Sequence, residues 1–142
     1  MLSIPYVSYT SYIWPIRVPA TADNLYINLY AQAIGFGKTS KNSSITTSQG
    51  LRDVFLQVIS NSECAKTYGS TVTSKVICTS GALGRGPCGG DAGGPLVWRG
   101  SSYAYHILIG ITSLSSASGC QSYHPSRYTR VTSYLTWINS FL

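Results

Sequence analysis

The chain has 142 residues, 44% of them apolar and only 10% charged. That length suits one domain with a real core, and that apolar share excludes a chain disordered by composition. The net charge of +6 is scattered from Arg17 to Arg130 without a run of like charge, so nothing points to nucleic acid; no stretch is long and apolar enough to span a membrane.

Eleven Tyr, fourteen Gly and many Ser and Thr predict a β-rich chain with frequent turns. The first nine residues lack both a basic n-region and an apolar h-region, so no export signal is legible in this chain. Pro5, Pro15 and Pro19 disfavour helix over residues 1–28, which read as an extended connector whose Ile13, Trp14 and Ile16 need cover. From Leu29 to Gly37 a strand is expected, ending in Phe36 between two glycines. Lys38 to Gly50 is a polar surface loop, and its Asn42-Ser43-Ser44 is an N-glycosylation acceptor if the chain is secreted.

Val54 to Ile59 is a continuous apolar run and reads as a largely buried strand. Ser60 to Glu63 is a capping box, with Ser60 capping and Glu63 reaching back, so a short helix is expected near 61–68, stopped at Gly69. Val76 to Cys78 is the next strand. Leu96 to Trp98 and Tyr103 to Ser113 follow as two strands of a hairpin around Arg99 to Ser102. After a polar loop from Ser115 to Ser126, Arg127 to Thr132 is the last strand. The end of the chain has apolar residues at 134, 135, 137, 138, 141 and 142, a 3.6-residue stripe that predicts a helix near 133–142 with Thr132 or Ser133 as N-cap.

Cys64, Cys78, Cys88 and Cys120 make an even count, which suits two disulfides and an oxidising compartment; three pairings are open. No C-x-x-C pair is present, so neither a metal nor another cofactor is expected.

The densest motif is Pro87 to Leu96, Pro-Cys-Gly-Gly-Asp-Ala-Gly-Gly-Pro-Leu. Four glycines let a loop fold tightly enough for backbone N–H groups to converge on one point, as an oxyanion hole requires. This stretch resembles the Gly-Asp-Ser-Gly-Gly-Pro nucleophile loop of chymotrypsin-like (trypsin-family) serine peptidases, with Ala92 in the nucleophile's place. The likeness extends to Ile13 to Pro19, which is similar to the family's inter-barrel crossing, to Gly35-Phe36-Gly37, and to 127–138.

The resemblance implies an all-β fold, the second Greek-key antiparallel six-stranded barrel of such a peptidase, over residues 29–142. Residues 1–28 would be the inter-barrel connector, and the N-terminal barrel would be absent. It implies pairing Cys64–Cys78 and Cys88–Cys120, and an oxyanion hole made by the amides of Gly90 and Ala92. Asp91 would occupy the position that pairs with a new N-terminal amine after activation cleavage; without that amine, a buried Asp91 would be unpaired and costly, or else protonated or exposed. Gly86 would floor a specificity pocket, with Ser113, Ser115 and Ser126 around it. No carboxylate stands at that floor, which argues against a Lys or Arg preference.

Acyl transfer also needs a base and an orienting carboxylate. His106 and His124 do not match the family's histidine motif, and Asp23, Asp53 and Glu63 do not match its aspartate. The expectation is therefore a secreted, truncated and catalytically inactive homologue that binds peptides or proteins and lacks its N-terminal barrel as partner. The rival readings are a fragment or Ser-to-Ala variant of an active endopeptidase with a chymotrypsin- or elastase-like preference, and a non-enzymatic extracellular binding module.

Overall fold

A computed structural model describes residues 4–23, 25–100, 105–114 and 120–141. Six strands form a closed antiparallel barrel: β1 (Tyr30–Gly35), β2 (Arg52–Ile59), β3 (Val76–Thr79), β4 (Pro95–Arg99), β5 (His106–Leu114) and β6 (Ser126–Arg130). Around the barrel they run β1-β2-β3-β6-β5-β4. Closure leaves no free sheet edge, so the short strands satisfy their own backbone groups. Two short helices complete the fold, α1 (Asn61–Tyr68) and α2 (Leu135–Asn139).

The barrel is filled by Ala31 and Ala33 from β1, Leu56 and Val58 from β2, Ile77, Leu96, Ile109 and Tyr128, with Tyr26 from the connector sealing the group. Gly110 permits this packing: a Cβ there would lie 3.0 Å from the Tyr128 Cβ and 3.2 Å from Ile77 and Leu96. Each fully buried aliphatic side chain contributes about 1.5–3 kcal/mol of transfer free energy.

β2 corrects the expectation of a strand buried along its whole apolar run. Leu56 and Val58 point inward, while Phe55 is 48% exposed. The run is apolar on both faces, but a barrel strand has one face inside. Strand ends also differ: β1 stops at Gly35 before the exposed Phe36, and β6 runs Ser126–Arg130 because the chain turns into a 3₁₀ segment at Val131–Tyr134. Parts of the 99–102 hairpin loop and of the 115–126 loop lie outside the described residues.

α1 begins where expected. The Ser60 side chain accepts from the Glu63 N–H at 3.1 Å. The reciprocal half of the capping box is replaced, since the Glu63 carboxylate pairs with Lys66 one turn on. α2 is shorter than predicted, and neither Thr132 nor Ser133 caps it. Thr132 is buried, and the Ser133 hydroxyl donates to the Ser74 carbonyl at 3.1 Å. Tertiary contacts claim the candidate caps, and the stripe starts as 3₁₀ before becoming α-helix.

Both disulfides form as the resemblance implies. Cys64–Cys78 ties α1 to β3, and Cys88–Cys120 ties the glycine-rich loop to the segment before β6. Before β1, the chain at Arg17 lies along β5: Arg17 donates its N–H to the His106 carbonyl, and its own carbonyl accepts from Leu108.

Candidate functional site

The glycine-rich loop enters β4 through a set of tight turns. Asp91 N–H donates to the Cys88 carbonyl, and Gly94 N–H to the Asp91 carbonyl. Gly90 (φ 96°) and Gly93 (φ 84°) take left-handed conformations that strain any other residue. The loop is then sewn to β5: Gly93 N–H donates to Thr112 O, and Thr112 N–H to Gly94 O, both at 2.8 Å.

Asp91 organises the inner side of this loop. Its Oδ1 accepts from the Gly37 N–H at 2.7 Å and its Oδ2 from the Cys88 N–H at 2.8 Å. The half-buried carboxylate is thus neither unpaired nor fully exposed, which corrects the cost foreseen for it: two backbone amides hold its oxygens. The same contact explains Gly35-Phe36-Gly37. A Cβ at Gly35 would fall 2.0 Å from Asp91 Oδ1, and one at Gly37 would fall 2.5 Å from it. Beside Asp91 lies a cavity of about 200 Å³, bordered also by Ile34, Lys38, Arg52 and Asp53.

On the outer side, Ala92 is exposed. The N–H groups of Gly90 and Ala92 find no acceptor among the described residues. Two unclaimed amides flank one carboxylate whose oxygens are already held.

Of the residues expected around a specificity pocket, the structure brings Gly86 and Ser126 together. A Cβ on Gly86 would stand 2.7 Å from Ser126 Oγ. Ser126 is buried, and two residues on the Tyr128 hydroxyl meets Thr79 Oγ1 at 3.1 Å. Burial pushes the Tyr128 phenol well above its ordinary range. Ser113 is exposed near the end of β5, and Ser115 lies outside the described residues. Sequence reasoning missed Tyr128 and Thr79, because a tyrosine in a strand reads as packing until its hydroxyl partner is known.

The remaining titratable candidates sit elsewhere. His106 is exposed at the start of β5, opposite Arg99, in a groove with Trp14. His124 is on the loop whose backbone lies against Gly81. Asp53 accepts from Gln32 Nε2 at 2.6 Å, Glu63 pairs with Lys66, and Asp23 is exposed in the connector. Three of the chain's four carboxylates are therefore engaged by groups other than a histidine. Among the described residues no group of three His, Cys, Asp or Glu could hold a metal ion, and no helix is long and apolar enough to cross a membrane.

One contact had no signal in the sequence. Ile45, in the polar loop, places its Cδ1 2.5 Å from where a Gly90 Cβ would be, so it lies directly over Gly90. Gln49 holds that loop down by donating to the carbonyls of Phe36 and Gly37.

The trypsin family model matches residues 2–138. The chain belongs to the trypsin family. A collagenase of Hypoderma lineatum is 36% identical over 141 residues, covering 97% of this chain and 51% of that protein. Glucanase inhibitor protein 3 of Phytophthora infestans is 34% identical over 128 residues, covering 89% and 48%. A solved structure of HL collagenase superposes with a TM-score of 0.84 at 35% identity, covering 97% of this chain and 58% of that one. The chain thus spans about half the length of the curated relatives it matches. Its trypsin-family barrel is all-β, closed and six-stranded, as the motif resemblance implied.

Proposed function

We propose that this chain is the second barrel of a secreted, catalytically silent trypsin-family protein that binds peptide or protein segments without cleaving them. The observation that carries the reading is Ala92. It stands between the left-handed Gly90 and Gly93, beside two amides free to hold a carbonyl oxygen, and its methyl has no atom able to attack one. His106 lines the groove by Trp14, and Asp53, Glu63 and Asp91 are held by other partners.

Two disulfides support an extracellular compartment. The relative named for inhibiting a glucanase supports a binding role for a protein of this family, whereas the collagenase supports the rival reading of an active parent with a serine at this place. The groove of about 650 Å³ lined by Trp14, Ile16, Ile34, Pro95 and Val97 is the surface that a first barrel would share with the 1–28 connector.

Two measurements test the reading. An active-site-directed fluorophosphonate should leave the purified chain unlabelled; stoichiometric labelling overturns its silence. Titration with a mixed library of short peptides should shift the amide NMR signals of Gly90 and Ala92; unmoved signals at millimolar peptide overturn the binding role.

A further inference from the structure

Asn42 is the one asparagine of five that stands in an Asn-x-Ser/Thr frame, and the residue after the frame is Ile45 rather than proline. The structure separates the roles of its three residues. Ser43, in the middle, builds the turn: its Oγ accepts from Thr39 N–H at 3.0 Å and Ser40 N–H at 3.1 Å, and donates to the Ser40 carbonyl. Asn42 and Ser44, the two side chains a glycosyl-transferring enzyme must read, are exposed and make no hydrogen bond with the described residues.

The segment is also anchored at the candidate site. Lys38 N–H donates to Gly89 O, Lys41 N–H donates to Gln121 Oε1, and Ile45 rests on Gly90. Gln121 follows Cys120, which is bonded to Cys88. Asn42 is therefore held between two points fixed to the glycine-rich loop.

We propose that Asn42 carries an N-linked oligosaccharide, and that this sugar covers the 38–50 loop at the rim of the Gly90–Ala92 amides. In the transfer, Asn42 Nδ2 forms a bond to the anomeric carbon of a lipid-pyrophosphate-linked oligosaccharide. The anomeric C–O bond breaks, the lipid pyrophosphate leaves with its electron pair, and Nδ2 gives up one proton to a base. The bulky, hydrated product shields the peptide bond after Lys41 from attack. The inference rests on the extracellular reading above, and the test keeps the two apart.

The full chain, given an export signal, is secreted from insect cells, and its intact mass, disulfides and glycopeptides are mapped. One glycan is expected at Asn42, removable by peptide-N-glycosidase F, lost in Asn42→Gln and Ser44→Ala, and retained or raised in occupancy in Ser44→Thr. A lysine-specific protease should cut after Lys41 only once the sugar is removed; equal cutting before and after overturns the shielding. Secreted chain with both disulfides formed and a bare Asn42 overturns the site while sparing the compartment. Chain recovered with reduced cysteines overturns the compartment, and the sugar falls with it.

Discussion

Asp91 shows how one carboxylate fixes two glycines far away in sequence. Its oxygens accept from Gly37 and Cys88, and the space it needs forbids a Cβ at Gly35. Asp91→Asn turns one acceptor into a donor facing an N–H, and should cost about 1.5–3 kcal/mol in urea unfolding. Gly35→Ala should destabilise strongly in the parent chain, and far less in Asp91→Ala, where nothing opposes the new methyl. A double-mutant cycle reads that coupling, and additive effects would refute the contact. Ala92→Ser is a separate matter. It restores an oxygen, but His106 lies in the groove with Trp14 and His124 on the loop against Gly81, so peptide hydrolysis should stay at background in a fluorogenic assay.

Elements built from adjacent residues were legible in the sequence. α1 was readable because Ser60 and its target amide are three residues apart, and Ser60→Ala should cost about 1 kcal/mol in the same unfolding assay. The glycine-rich loop was readable for the same reason. Contacts between distant segments were not: Asp91 reaches Gly37 across 54 positions, and Ser133 abandons its capping role for Ser74, 59 positions away. The β3–β6 pair hides a further such contact, between Tyr128 and Thr79, 49 positions apart. The Tyr128 phenol is held above its ordinary pKa mainly by burial, and Tyr26 is raised by the same cause. Both contributions are complete below pH about 10, where the unfolded phenol still holds its proton. Above it the unfolded chain releases protons that the fold retains, so stability falls as pH rises. Tyr128→Phe should flatten that alkaline decline while costing about 1 kcal/mol at pH 7 through the unpaired Thr79 hydroxyl. Unfolding free energies measured from neutral to alkaline pH decide it; an unchanged slope would mean the phenol ionises freely in the fold.

For the molecule as a whole, the balance is between an uncovered apolar face and a positive charge. Trp14 is 77% exposed and lines, with Ile16, a groove of about 650 Å³, and Tyr12 and Ile13 just before it in the chain are exposed as well. Patches of this kind draw proteins together when nothing covers them. Against association works the net charge of +6, with Arg17 and Arg99 on the groove itself. Repulsion between exposed charges is screened over about 10 Å at 0.1 M salt, whereas apolar contact is not. The isolated chain should therefore associate more strongly as salt is raised, the reverse of an assembly held by ion pairs. Sedimentation equilibrium at low and high salt measures this directly. Trp14→Ser combined with Ile16→Ser should abolish the association without moving the unfolding midpoint much, because neither side chain belongs to the barrel core. Association that weakens with salt, or that survives the double substitution, would place the contact on another surface.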